Sequence, residues 1–260
     1  MRINKFISHN TKYSRREADE LIKQGKVKIN TKLATLSTDV GEEDKIFVDG
    51  KFIKRREYEL TVIVYNKNRG EIVSKSDPEG RKTVYETLPK RFEHFIPIGR
   101  LDYASEGLLL LTDSPIVATA LMESKLERVY NVKINGFVTK EMEEYMKSGL
   151  SIRGSKKGAQ EKSDIENIDI APFNAYQVIK NSPTYSKLKL VLTEGKNREI
   201  RRFFGHFDRD VLDLKRVSFA GIELNNLPNG KFRFLSNKEY LDLKNFIFKH
   251  EKPSKELSSK

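Results

Sequence analysis

The chain has 260 residues, carries 49 Lys and Arg against 37 Asp and Glu for a formal net charge of +12, and contains no cysteine. That length holds one large domain or a small one joined to a medium one, the basic excess points to a polyanionic partner (nucleic acid before an acidic membrane surface), and the missing cysteine excludes disulfides and thiolate metal sites. No apolar run reaches the length of a membrane span, the segment MRINKFISHN lacks an apolar signal core, and His9, His94, His206 and His250 show no ligand spacing, so a soluble, cytoplasmic, monomeric protein with no metal is expected.

Residues 1–58 read as a self-contained small module. Arg2 and Lys5 flank Ile3, Phe6 and Ile7, an apolar face at helical spacing. Ser14-Arg15-Arg16-Glu17 is a capping-box pattern, in which the serine and the glutamate satisfy free N–H groups at a helix start. Ala18, Leu21 and Ile22 give that helix one buried face, and Gly25 is placed to end it. Val27 and Ile29 alternate with Lys26 and Lys28, a short strand with a basic outer face, while Gly41 and the Asp49-Gly50 turn bracket a strand at 45–48. Residues 51–59 are charged and read as a hinge.

From residue 60 the texture changes to a β-branched buried strand at 60–65, then an Asn68-Arg69-Gly70 turn, a Pro78-Glu79-Gly80 turn and a short helix at 83–88 stopped by Pro89. Next comes GRLDYASEG at 99–107, between Ile96-Pro97-Ile98 and a run of four leucines, and both flanks read as buried strands. Asp102 is thus an acid in a glycine-bounded loop beside a core, where it needs a cation or donors and where the glycines allow close approach. Ser114-Pro115 opens a helix with the serine as its cap and Val117, Ala120 and Leu121 as its buried stripe. In RVYNVKING at 128–136 the apolar Val129, Val132 and Ile134 are expected on one strand face with Arg128, Tyr130 and Lys133 elsewhere, so Tyr130 is not obliged to be core and reads, taken alone, as a packing or edge tyrosine.

A charged helix at 139–148 closes on Gly149, and residues 154–164 read as an exposed loop. Strands follow at 175–180 and 187–193, the second with Leu188, Leu190 and Leu192 inward and Lys187, Lys189 and Val191 outward. In EGKNREIRRFF at 194–204, Asn197 is placed to cap a helix whose apolar stripe is Ile200, Phe203, Phe204 and Phe207. Arg198, Arg202 and Arg209 are expected on its solvated side, and Arg201 at the border of the core beside Phe204. Residues 249–260 read as a polar, disordered tail.

The three segments GRLD with GLLLLT, RVYNV and EGKNREIRR, in that order, resemble the motifs of the RsuA/RluB/RluE/RluF family of ribosomal RNA pseudouridine synthases. Ser105 stands where threonine is usual, and Arg128 where lysine is. The amino-terminal pattern is similar to the small RNA-binding module shared with a small-subunit ribosomal protein. The resemblance runs from residue 1 to about 245 and implies an α+β fold: a small helical RNA-binding module at 1–58, then a mixed, mainly antiparallel sheet flanked by helices at 59–248. It implies Asp102 as the catalytic carboxylate, Arg201 as the cation that neutralises it, and Tyr130 as the ring that stacks on the target base. Ile200 would pack beneath that base, and Arg100, Lys196, Asn197 and Arg198 would contact the substrate. Arg2, Lys5, Arg15, Arg16 and Lys28 would lie against RNA phosphates. Isomerising uridine needs no redox step or energy input, so no cofactor is implied. The expected partner is ribosomal RNA, as a stem-loop or pre-ribosomal particle, with the large subunit favoured by the likeness of EGKNREIRR to the RluB branch. The rival readings are a non-catalytic RNA-binding ribosome-assembly factor, a metal-dependent nuclease using Asp102, Glu106 and Asp113, and a membrane-surface role.

Overall fold

The computed structural model describes residues 1–41, 43–54, 60–159 and 166–251, the side chains of 248–251 excepted. The chain divides into two compact units, Met1–Leu60 with Ser114–Ile116, and Thr61–Asp113 with Val117–Lys260.

In the first unit, helix α1 (Ile3–Asn10) buries Ile3, Phe6 and Ile7, and helix α2 (Arg15–Lys23) buries Ala18 and Ile22. The capping box forms: Glu17 N–H donates to Ser14 Oγ at 3.2 Å and Ser14 N–H donates to Glu17 Oε2 at 2.7 Å. These helices cover an antiparallel sheet in which β1 (Val27–Ile29), β2 (Lys32–Leu33), β3 (Ile46–Val48) and β4 (Lys51–Ile53) run in the order β2-β1-β3-β4. The start of the expected hinge is therefore strand. Asp49 and Gly50, at φ 48° and 74°, supply the two left-handed positions of a tight hairpin, and Val48 faces Lys51 across it. Residues 55–59 of that hinge lie outside the described residues.

The rest of the chain runs β5 (Val62–Lys67), α3 (Val84–Thr87), β6 (Ile96–Ile98), β7 (Glu106–Thr112), α4 (Pro115–Met122, its first two residues grouped with the first unit), β8 (Arg128–Asn135) and α5 (Lys140–Ser148). It continues through β9 (Leu150–Ile152), β10 (Ile168–Ile170), β11 (Ala175–Lys180), β12 (Tyr185–Leu192), α6 (Glu199–His206), β13 (Val211–Phe219), β14 (Ile222–Glu223), β15 (Phe232–Phe234) and α7 (Asn237–Glu251). The main sheet has the order β11-β12-β8-β13-β7-β5-β15; β13 pairs β7 in parallel, and the other neighbours are antiparallel. Strand β5 starts and stops two residues later than the apolar run suggests, because Asn66 and Lys67 are buried too. Helix α7 was not expected from the sequence and enters the stretch read as a tail, of which 252–260 lie outside the described residues.

One side of this sheet makes the principal core. Ile63, Tyr65, Leu109, Leu111, Tyr130, Val132, Ile134, Leu188, Leu190 and Leu214 pack there with Met142 and Met146 of α5 and with Ile200, Phe203 and Phe204 of α6. Tyr130 belongs to that core at 8% exposure, where the sequence pattern grouped Val129 with Val132 and Ile134 instead. The two-residue pleat puts Tyr130 with Val132 and Ile134 and sends Val129 to the other side. Among the described residues no helix is long and apolar enough to cross a membrane.

Candidate active site

Asp102 sits in the loop between β6 and β7, and the loop is held by a lysine that sequence reading missed. Lys67, the last residue of β5, has no exposed surface; its Nζ donates to the carbonyls of Asn68 at 2.8 Å, Asp102 at 3.1 Å and Ser105 at 2.8 Å. Three carbonyl dipoles thus meet the three N–H bonds of one ammonium. Burial pushes the Lys67 pKa down to about 8, opposed by the charges of Glu71, Asp102 and Glu106. The turn after Lys67 adds a further tie, from Gly70 N–H to the Tyr103 carbonyl at 2.9 Å. At the far end of the loop Gly107 has φ 103°, and a Cβ there would overlap the backbone of Arg216, so only glycine lets β7 enter beside β13.

The Asp102 carboxylate keeps 31% of its side-chain surface, and its Oδ2 lies 3.6 Å from Arg201 Nε and 3.9 Å from Arg198 Nη1. Arg201 is held from several directions. Its Nη1 donates to the Val211 carbonyl at 3.0 Å, and its Nη2 to the Ala104 carbonyl at 3.1 Å and Ser105 Oγ at 3.3 Å. Its Nε is buried and meets no acceptor among the described residues, because the carboxylate stands just beyond hydrogen-bond reach. Burial pushes the guanidinium's pKa down, and the charge of Asp102 opposes the shift. The guanidinium therefore fixes the loop through the Ala104 carbonyl and Ser105 Oγ and keeps one N–H, on Nε, beside the Asp102 carboxylate.

The structure brings together Asp102, Arg201 and Arg198, and places Leu101, Tyr130 and Ile200 in one apolar cluster. The remaining expected substrate contacts are more scattered. Arg100 and Asn197 are exposed, while Lys196 Nζ is engaged with the Asp169 carbonyl at 2.6 Å and Glu194 Oε1 at 2.8 Å. Asn197 does not cap α6. Arg198 takes the cap position in a left-handed conformation at φ 51° with no side-chain cap, and the buried Glu199 carboxylate instead accepts the Lys196 N–H at 3.2 Å.

Arg202 departs furthest from expectation. It is 1% exposed, and its Nη2 donates to the carbonyls of Ser155 and Glu166, both at 3.1 Å. The reason is the segment read as an exposed loop, whose described part packs on that side of α6. Arg198 Nε donates to the Gly158 carbonyl at 2.8 Å, and a Cβ on Gly158 would overlap the Arg201 carbonyl. Residues 160–165 of the loop lie outside the described residues. The other acids proposed for a nuclease do not converge on Asp102: Glu106 faces Lys215 at 3.8 Å, and Asp113 Oδ1 accepts the Thr61 N–H at 2.9 Å. Among the described residues no group of three His, Cys, Asp or Glu could hold a metal ion.

In the first unit Arg15, Arg16 and Lys28 are exposed, Lys5 is half-buried, and Arg2 Nη1 donates to the Ser37 carbonyl at 2.5 Å. Burial, then the charges of Lys5 and Arg15, push the pKa of His9 down to about 4.

Residues 61–206 match the RNA pseudouridylate synthase family, and residues 1–46 match the S4 domain. An uncharacterized RNA pseudouridine synthase of Helicobacter pylori strain 26695 is 50% identical over 248 residues, 95% of each chain. The ribosomal large subunit pseudouridine synthase B of Bacillus subtilis strain 168 is 36% identical over 241 residues, 92% of this chain and 93% of that one. A crystal structure described as a pseudouridylate synthase superposes with a TM-score of 0.63 at 24% identity, covering 94% of this chain and 99% of that one, a likeness of fold. With more than half of its length matched and the Helicobacter and Bacillus relatives each covered over nine-tenths of their length, the chain belongs to the RNA pseudouridylate synthase family.

Proposed function

We propose that this synthase converts a specific uridine of large-subunit ribosomal RNA to pseudouridine. The reaction breaks the bond from C1′ of the ribose to N1 of uracil, turns the base and joins C1′ to C5. The proton on C5 leaves and N1 gains one, so the composition is unchanged. Asp102 is the reactive carboxylate, acting by attack on the ring, by attack on the sugar, or by removing a sugar proton; all three need it ionised and close to the nucleoside. Arg201 balances its charge and holds its loop. Tyr130 stacks on the flipped base and assists the departure of the C5 proton, with Ile200 packed beneath. Arg100, Lys196, Asn197 and Arg198 contact the substrate strand. Residues 1–58 dock the RNA through Arg2, Lys5, Arg15, Arg16 and Lys28, and residues 59–248 carry the chemistry. The protein acts as a cytoplasmic monomer on a ribosomal RNA stem-loop or a pre-ribosomal particle.

The observation that carries this reading is the 3.6 Å approach of Arg201 to Asp102 in a loop clamped by Lys67. The choice of large-subunit RNA rests on the name of the Bacillus subtilis relative. Its test is a pseudouridine map of ribosomal RNA from cells carrying Asp102→Asn in place of the wild-type protein. One uridine of the large-subunit RNA should lose its modification; an unchanged map refutes the assignment.

A further inference from the structure

The sheet has a second side that the chemistry above does not use. In β12 the pleat turns Ser186, Leu188, Leu190 and Leu192 inward and leaves Tyr185, Lys187, Lys189 and Val191 outward. Leu190 is the cross-strand partner of Tyr130, so the outward residues lie on the reverse of the sheet from the tyrosine. Near β5 and β7 that reverse side is buried, with Val62, Val64, Leu108 and Leu110 at zero exposure. Across β8, β12 and β11 it is open, with Asn131, Lys187, Lys189, Gln177 and Lys180 exposed and Lys133 half-buried.

What it presents there is cationic. Strand register aligns Asp213, Lys133, Lys187 and Lys180 in one row and Lys215, Asn131, Lys189 and Gln177 in the next. No outward residue of β8, β11 or β12 is a carboxylate. Of the acids at the margin, Asp213 pairs with Arg69, Glu106 faces Lys215 at 3.8 Å, Asp210 is tied to Asn135, and Glu223 lies at the far end beside Ser218. The ammonium groups of Lys180, Lys133 and Lys187 stand 4.1, 4.5 and 5.9 Å from the centre of the Tyr185 ring. Lys180 also donates to the phenol oxygen at 2.8 Å, and together these lysines push the phenol's pKa down.

Neighbouring strands are about 4.8 Å apart, so three like charges in a row fall within about 10 Å. Like charges directly opposite each other destabilise a sheet, so folding alone gives no reason to align them. A polyanion with charges repeating every several ångströms relieves that repulsion, and a phosphodiester backbone fits a flat row of lysines. The Tyr185 ring is already occupied by ammonium groups, which leaves it unsuited to base stacking.

We infer that the outer face of β11, β12 and β8 is a second RNA-binding surface, which grips phosphates remote from the target nucleoside and is blind to sequence. The inference rests on the reading that the substrate is RNA. It predicts salt-dependent affinity contributed from the side of the sheet away from Asp102.

The test uses the full chain carrying Lys180→Gln, Lys187→Gln and Lys189→Gln together, with the same three positions changed to Arg as a partner variant. Binding to a ribosomal RNA stem-loop transcript and to an unrelated hairpin of equal length is measured across a salt series. The glutamine variant should weaken both RNAs roughly 10-fold at about 0.1 M salt and lower the slope of log K against log salt by about 2–3. The arginine variant should retain the wild-type slope, and single-turnover conversion at saturating RNA should stay within about twofold of wild type in both. Wild-type affinity and slope in the glutamine variant would overturn the inference. So would intact RNA binding accompanied by lost adsorption to phosphatidylserine vesicles, which would make the face a membrane contact. Asp102→Asn, measured alongside, separates the two claims: conversion by that variant would sink the catalytic assignment, while the salt slopes of the lysine variants still decide the surface.

Discussion

Replacing Glu199 with glutamine should make the protein more stable, and increasingly so as pH rises. Glu199 opens α6 and is 4% exposed; one carboxylate oxygen accepts the Lys196 N–H at 3.2 Å, and the other, Oε1, is buried without a donor. Its neighbour is Glu194, whose own charge is held by Lys196 Nζ at 2.8 Å and the Ala171 N–H at 3.1 Å. Burial first, then the interaction with Glu194, push the Glu199 pKa up to about 8 from 4.5. A proton on Glu199 turns the repulsion into a hydrogen bond. The folded chain therefore holds that proton to higher pH than the unfolded chain. The contribution of this group to stability is complete below pH 4.5 and is lost as pH rises through about 8. Because the two acids share the effect, the loss amounts to on the order of 2–3 kcal/mol, or roughly 5–10 °C in Tm for a domain of this size. Glutamine keeps the shape and a donor, and does not titrate. Thermal unfolding of wild type and Glu199→Gln between about pH 5 and about pH 9 should give melting curves that nearly coincide at the acid end and separate toward the alkaline end, the variant on top. Curves that stay parallel throughout would refute the protonated-pair argument.

Lys67→Met should lower kcat about 10-fold or more with a smaller change in KM, read by single-turnover conversion, because the carbonyls of Asp102 and Ser105 lose their donor while the RNA contacts persist. Its Tm should fall by less than about 5 °C, since removing an ammonium whose pKa is pushed down to about 8 also removes a desolvation cost. Gly158→Ala should destabilise the protein by about 1–3 kcal/mol in urea unfolding and reduce kcat, because φ 72° and the Arg201 carbonyl both exclude a Cβ there.

The parts of the fold that local pattern dictates were legible. The capping box at Ser14, the glycine that closes α5 and the leucine strand all follow from rules confined to a few residues. The sheet's mixed, mainly antiparallel character came by resemblance and stands. The misplacement of Tyr130 has a simple cause: Val129 looks like a companion of Val132 and Ile134, but an odd spacing puts it on the opposite side of the pleat. Arg202 and Lys67 failed for a different reason. Their sequence neighbourhoods predict a solvated arginine and a strand already ended. What buries them is carbonyl groups far away in the chain, at Ser155 and Glu166 for one and at Asp102 and Ser105 for the other. A lysine directly after an unbroken buried run, as in VIVYNK, was the one local signal on offer.

Those two residues belong to a wider pattern that bears on how the site works. Arg128 donates to the carbonyls of Leu126 and Thr193, Arg216 to that of Leu108, Arg201 to those of Val211 and Ala104. Arg201 also meets the Asp102 carboxylate at 3.6 Å, whereas Arg128, Arg216, Lys67 and Arg202 are buried cations whose hydrogen bonds among the described residues go to backbone carbonyls. Pairing each with an acid would have supplied the same hydrogen bonds and cancelled the charge. Carbonyls supply the bonds and leave the positive field in place, since a dipole falls off with distance faster than a charge does. Around Asp102 the guanidinium groups of Arg201 and Arg198 and the ammonium of Lys67 supply such a field, which draws in a phosphate backbone. A family that works on RNA gains from a positive field of this kind, and arginine and lysine bonded to backbone carbonyls are the side chains that give it.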